Sequence, residues 1–261
     1  MEQQSALLAV SFGTSYPETR ERTIGAVEKD LQKAMPDRKF YRAWTSRFIR
    51  KRVLEKEGIR ICSVEEALLK MQEDGISDVL VQPTHMLSGE EYARTKKSIL
   101  DYKDAFERMA LGRPLLSEIS DLPVFAALLE KECAALPDYG MTVWMGHGSA
   151  GLSFPVYDLL NEQFQNDGYP NMCVGTVEYE PGIEPVLQKI RENHPEKVIL
   201  MPLLLVAGDH ALHDMAGDHP ESWKVRIESE GARVTCLVKG LGEYESVHKL
   251  YVDHAICAEV L

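Results

Sequence analysis

The chain has 261 residues, 44% of them hydrophobic, and its 41 Asp and Glu outweigh 29 Lys and Arg to leave a net charge of -12. That length and apolar fraction suit one large or two modest domains with real cores, and they exclude a globally disordered chain. The acidic balance argues against nucleic acid as a partner, because phosphate contacts need a dominant basic surface. Apolar runs such as 203–207 fall far short of the roughly 20 residues that span a bilayer.

Residues 6–12 read as a buried strand ending at Gly13, and a helix follows with Ile24, Val27 and Leu31 on one face. A second strand is expected over 39–45. Ser63 with Glu66 three residues on forms a capping-box start for a helix carrying Leu68 and Met71. Residues 78–82 form a third strand, which enters an 83–89 loop and then a long helical segment to about Met109. The alternation restarts with strands over 141–145, 172–178, 198–201 and 234–238, and helices near 155–164 and 183–191. Alternating strands and helices imply an α/β fold of parallel sheets covered by helices. The expected division is 1–137 and 138–261, with the final helix, about 243–258, free to pack back on the first domain.

Two pairs of segments look alike between the halves. Residues 10–15 correspond in position to 144–149, each after the first strand of its half. Residues 79–91 align without a gap on 198–210, matching Pro83 with Pro202, Gly89 with Gly208, Glu90 with Asp209 and Glu91 with His210. Two similar α/β halves with polar residues at strand carboxyl ends place a ligand site there. On this reading His147 and His210 lie in the cleft between the halves, opposite Thr14 and Glu91.

His147 sits between Gly146 and Gly148 directly after a strand, and His210 follows another strand beside Asp209, with Asp214 nearby. Neutral imidazole is both a common transition-metal ligand and a base near neutral pH. Glu178, at the end of a neighbouring strand, is the third candidate on the argument that a buried carboxylate needs a metal or a cation there; Glu180 competes with it. Two imidazoles and one carboxylate leave coordination positions open, which suits an ion that must react or depart. His213, one turn from His210, is read as a surface or supporting residue, and His85 lies in the 83–89 loop where it can reach a cleft.

Between Arg38 and Arg52 the chain holds seven basic residues and no acidic one, either a solvated helix face or a patch for an anionic ligand. The five cysteines are scattered and form no C-x-x-C pair, so neither a disulfide framework nor a thiolate zinc site is indicated. Together with the absence of a basic signal-peptide start over 1–5, this leads to the expectation of a soluble cytoplasmic protein without a membrane. No P-loop, G-x-G-x-x-G or G-x-S-x-G motif occurs, so a nucleotide cofactor and a serine-hydrolase reading lose their support.

With these residues in hand, the chain resembles the anaerobic cobalt chelatases of cobalamin biosynthesis, the CbiK type of class II chelatase. The resemblance runs through Ser11-Phe12-Gly13-Thr14-Ser15-Tyr16, Arg42-Ala43-Trp44-Thr45-Ser46, Gly89-Glu90-Glu91-Tyr92, Met145-Gly146-His147-Gly148, Gly175-Thr176-Val177-Glu178, the stretch from Met201 to His210, and Asp214-Met215 with Ser222-Trp223-Lys224. It implies a chelatase fold of two similar domains and insertion of Co²⁺, as substrate metal, into sirohydrochlorin or precorrin-2 without ATP. It further implies that His147, Glu178 and His210 hold the metal, that His147 also accepts a proton, and that Glu91 faces them. Ser11, Thr14, His85 and Tyr92 are expected to contact the tetrapyrrole. A ferrochelatase acting on the same ring, a tetrapyrrole or metal carrier and a metal-dependent hydrolase remain as alternatives, and a homo-oligomer is left open.

Overall fold

The computed structural model describes residues 4–136 and 140–261. In chain order the elements are β1 (Ser5–Ser11), α1 (Pro17–Arg22), α2 (Ile24–Ala34), β2 (Lys39–Trp44), α3 (Arg47–Glu57), α4 (Val64–Glu73), β3 (Asp78–Pro83), α5 (Glu90–Leu100) and β4 (Arg108–Leu111), then α6 (Asp121–Ala134), β5 (Met141–Gly146), α7 (Val156–Asn166), β6 (Met172–Thr176), α8 (Glu184–Asn193), β7 (Lys197–Leu203), α9 (Trp223–Ser229), β8 (Arg233–Cys236), α10 (Glu245–Ile256) and β9 (Glu259–Val260). The chain forms two compact units, one of Met1–Ser117 with Gly242–Leu261 and one of Glu118–Leu241. The division expected at Pro137 lies outside the described residues. Because the second unit begins at Glu118, α6 belongs with it rather than with the first domain. Its buried Phe125, Leu129 and Cys133 explain why: the helix packs beside α7. No helix among the described residues is long and apolar enough to cross a membrane.

The first unit holds a sheet of order β2-β1-β3-β4-β9, in which all pairs are parallel except β4 with β9. Strand β1 lies between β2 and β3, and its apolar run is buried on both sides. Ala6, Leu8 and Val10 join Val64, Leu68, Met71 and Ile99 in one core, while Leu7 and Ala9 turn to the other face, as the two-residue period of a strand requires. Helices α2 and α10 pack together, and α10 reaches β3. The capping box at Ser63 forms in full, with Ser63 accepting from the Glu66 amide and Glu66 accepting from the Ser63 amide.

Two expectations need correction here. The helix taken to run to about Met109 ends at Leu100, and residues 108–111 are instead strand β4, paired with β3. Met109, Ala110 and Leu111 are buried, but so short an apolar run carries no period that separates strand from helix. The sheet is also mixed, because the two-residue β9 returns antiparallel at its edge.

The second unit repeats the plan with a four-stranded parallel sheet of order β6-β5-β7-β8. Numbered within each unit, the parallel strands of both sheets read 2-1-3-4, and the segments matched in sequence, 79–91 and 198–210, both begin in the third strand and run past its carboxyl end. Met141, Val143 and Met145 of β5 pack with α8 and α9 through Val186, Ile190, Trp223 and Ile227. The strand expected over 172–178 ends at Thr176, and the one expected over 234–238 runs from Arg233 to Cys236.

Candidate metal centre

In the order β6-β5-β7-β8, the carboxyl ends of β6, β5 and β7 are adjacent, so the segments leaving them meet. His147 follows β5 directly, Glu178 lies two residues beyond β6, and His210 follows the loop after β7. Each offers one ligand atom, and the three atoms lie within 4.8 Å of one another. The His147 Nε2 to Glu178 Oε2 distance is 3.9 Å, and the two imidazole rings stand edge to face with centroids 4.9 Å apart. All three residues belong to the second unit. The two histidines, read from sequence as lying at strand ends of the second half, thus come together from one sheet.

Backbone chemistry explains the close approach. Pairing continues past the end of β6, with the Val177 amide donating to the Gly146 carbonyl and the Glu178 amide to the His147 carbonyl, each at 2.9 Å. Gly148 makes this possible: its φ is +85°, and a Cβ there would stand 1.7 Å from the Glu178 carbonyl oxygen. Only glycine tolerates both conditions. The Tyr157 hydroxyl receives the Gly148 amide at 3.1 Å, while Thr176 Oγ1 donates to the Tyr179 carbonyl and receives the Gly182 amide, tying the 176–182 turn together.

Each ring is oriented through its Nδ1. In His147, Nδ1 lies 3.0 Å from the Gly148 carbonyl, which can only accept, so in the neutral ring the proton sits on Nδ1 and the lone pair on Nε2. In His210, Nδ1 donates to Asp214 Oδ2 at 2.7 Å, again leaving Nε2 free. A carbonyl or carboxylate behind the ligating imidazole is the usual second partner of a metal-binding histidine. In sequence Asp214 is only a neighbour of His210, and its spacing of four residues is the signal that could have paired them.

The site is open. The His147, His210 and Glu178 side chains are 44%, 35% and 49% exposed, so the argument from burial for Glu178 does not hold; its place rests on proximity to the two imidazoles. Glu180 is exposed outside the cluster, and His213 is exposed and turned to Asp209 at 3.6 Å. Two nitrogens and one carboxylate oxygen, open to solvent, can take a borderline divalent ion and release it again.

The other residues singled out from sequence lie in the first unit. Glu91 stands in the first turn of α5 with Arg94 at 3.8 Å. Ser11 is fully buried, and its hydroxyl receives that of Thr84 at 2.8 Å, joining the ends of β1 and β3. Thr14 Oγ1 accepts from the Tyr16 amide. Both ring nitrogens of His85 are buried without a hydrogen-bond partner among the described residues, and burial pushes its pKa down to about 4, so the ring is neutral at pH 7. Its ring centroid lies 6.2 Å from that of Tyr92, whose hydroxyl is pushed up by burial and then by the Glu259 charge.

A family model described as cobalt chelatase (CbiK) matches residues 5–259. The chain belongs to this family. It is 37% identical over 251 residues to a sirohydrochlorin cobaltochelatase of Salmonella typhimurium, covering 96% of this chain and 95% of that one. It is 30% identical over 259 residues to the sirohydrochlorin cobaltochelatase CbiKC of Nitratidesulfovibrio vulgaris, covering 98% and 90%. Among solved structures, SirB from Bacillus subtilis with Fe³⁺ superposes with a TM-score of 0.66 at 13% identity, over 97% of this chain and 95% of that one. CbiX, described as the terminal enzyme of siroheme biosynthesis in denitrifying bacteria, gives 0.52 at 17% identity, over 98% and 100%. These likenesses show the chelatase fold of two α/β units that the sequence repeat implied.

Proposed function

We propose that this cobalt chelatase family member inserts Co²⁺ into sirohydrochlorin, or its reduced precursor precorrin-2, without a nucleotide cofactor, as a step of anaerobic cobalamin biosynthesis. The observation that carries the reading is the His147, Glu178 and His210 cluster, with both Nε2 atoms free, in a chain 37% identical to a relative named for that activity. The five cysteines are free thiols, which favours a reducing cytoplasm.

The reaction exchanges two pyrrole N–H protons for one divalent ion, so the protein must present the metal and dispose of two protons. His147 and His210 present Co²⁺ through Nε2, and Glu178 offsets part of its charge. An Nε2 lone pair cannot hold the ion and a proton together. As His147 gives up the metal to a ring nitrogen, its freed lone pair becomes a base for a proton leaving at neutral pH. Glu91 or His147 takes up the protons, and Ser11, Thr14, His85 and Tyr92 are assigned to the tetrapyrrole.

The test is an absorbance time course of purified protein with sirohydrochlorin and Co²⁺ under anaerobic conditions, run beside His147→Ala and His210→Ala. Product should form well beyond the amount of enzyme present, and both variants should lose this while melting near the wild-type temperature. A spectral change that stops at one equivalent of protein would mean a carrier and would overturn the enzyme reading.

A further inference from the structure

The run Gly146-His147-Gly148 sets one imidazole between two glycines, and each glycine admits a different neighbour. Gly148 admits the Glu178 carbonyl. Gly146 admits the ring of Tyr157: a Cβ at Gly146 would stand 2.5 Å from Tyr157 Cε1 and 3.1 Å from its hydroxyl oxygen. Tyr157 lies in the first turn of α7 and is buried, so its ring rests directly against the turn that carries His147.

The peptide unit joining His147 to Gly148 is held at both ends. Its carbonyl accepts from the Glu178 amide at 2.9 Å, and its N–H donates to the Tyr157 hydroxyl at 3.1 Å. The bond is trans, so these two groups point in opposite directions and the partners grip the unit from opposite sides. Rotation of the unit would change φ of Gly148 and thereby move the Gly148 carbonyl that holds His147 Nδ1 at 3.0 Å. It would also break the bond from the Glu178 amide. One peptide unit thus couples the orientation of the His147 ring to the approach of Glu178.

Tyr157 is suited to that grip. Gly148 is buried, so its N–H needs an acceptor from the protein. Burial pushes the Tyr157 hydroxyl up to about 12, against the lowering effect of the Gly148 amide, so the phenol is neutral at pH 7. Helix α7 is in turn locked to the strand that leads to Glu178. Asn161, one turn after Tyr157 on the same face, donates to the Val174 carbonyl at 2.8 Å and accepts from the Val174 amide at 2.9 Å. Because β6 is an edge strand, the side-chain amide pairs there as a further strand would. The helix therefore reaches β6 through Asn161 and the turn after β5 through Tyr157.

We propose that Tyr157 is a positioning residue of the metal centre, fixing the His147–Gly148 peptide so that His147 and Glu178 meet the same ion. Its action is through the backbone. The proposal rests on the reading of His147, Glu178 and His210 as the Co²⁺ site.

Full-length wild type, Tyr157→Phe, Gly146→Ala and Tyr251→Phe are titrated with Co²⁺ alone, followed by calorimetry and by the visible d–d absorption of the bound ion, and are unfolded in urea without metal. Tyr251→Phe is the control: its hydroxyl, fully buried in the first unit, donates to the Thr84 carbonyl at 2.9 Å, so its removal costs a buried hydrogen bond of the same kind away from the three ligands. Tyr157→Phe should bind Co²⁺ roughly tenfold more weakly, and its saturated complex should show d–d bands of altered position or intensity, because a displaced ligand changes the coordination geometry. Gly146→Ala keeps the phenol but displaces its ring, and should move both readouts the same way. Tyr251→Phe should lose stability and keep the wild-type affinity and bands. Wild-type affinity and bands in Tyr157→Phe would overturn the proposal and leave the metal-site reading standing, as would a Tyr251→Phe protein that loses Co²⁺ affinity as far as Tyr157→Phe does. Wild-type protein that binds no Co²⁺ would overturn both.

Discussion

Gly148→Ala should damage the metal centre through the backbone, without touching a ligand. At this position φ is +85° and an added Cβ would lie 1.7 Å from the Glu178 carbonyl oxygen. Two costs follow. The left-handed conformation alone costs an L-residue about 1–2 kcal/mol. The carbonyl must also retreat by more than an ångström, which breaks the bond from the Glu178 amide to the His147 carbonyl and draws the Glu178 carboxylate away from the two imidazoles. A misplacement of that size typically costs about 10²-fold at a site, or about 2.7 kcal/mol.

Gly168 provides the control, because its φ is +81° and a Cβ there meets nothing within 4 Å. Gly168→Ala should therefore lose the conformational term alone. Calorimetric titration with Co²⁺, beside urea unfolding of both variants, separates the two effects. Gly148→Ala should lose more stability than Gly168→Ala, and Co²⁺ affinity should fall only in Gly148→Ala. If Gly148→Ala bound Co²⁺ like wild type, the claim that the 146–148 backbone positions Glu178 would fall.

Asp214→Ala removes the acceptor that orients His210, 2.7 Å from its Nδ1, and should weaken Co²⁺ binding by roughly 10- to 100-fold, while Asp214→Asn, which keeps a carbonyl acceptor, should lose less; the same titration checks both. At Asp78, burial works to raise the pKa, but bonds from Arg38 and Arg108 prevail and lower it. A carboxylate depressed in the folded state stabilises above its unfolded pKa and loses that contribution as pH falls. Asp78→Asn should thus cost about 2–4 kcal/mol at pH 7, with the gap to wild type narrowing below roughly pH 4, as urea unfolding at several pH values would reveal.

Much of the fold was legible because it rests on local rules. The apolar run at 6–12 reads as a strand, and only two residues of hydrogen-bonding chemistry at Ser63 and Glu66 are needed to start α4. The repeated segments at 79–91 and 198–210 pointed to two similar units. The site was legible in part for the same reason, since a strand followed by Gly-His-Gly places an imidazole at a strand end. What escaped was short or distant. Strand β4 has four residues and no period; α6 carries no mark of the unit it joins; and the partners of Arg38 and Arg42 are a buried aspartate 40 residues away and a buried glutamate on α2. The open position of Glu178 was also invisible, because exposure belongs to the packing of neighbouring turns.

By itself, then, the amino-acid order determined the α/β class and the chelatase family and singled out the three residues proposed as donors, since strand period, turn residues and motif spacing are properties of contiguous chain. Only the tertiary structure decided that the segments carrying His147, Glu178 and His210 bring their ligand atoms within 4.8 Å of one another. Strand order is set by which faces bury one another, so β6, β5 and β7 become neighbours through packing. The same packing turns His210 toward Asp214 and brings Glu178 against Gly148.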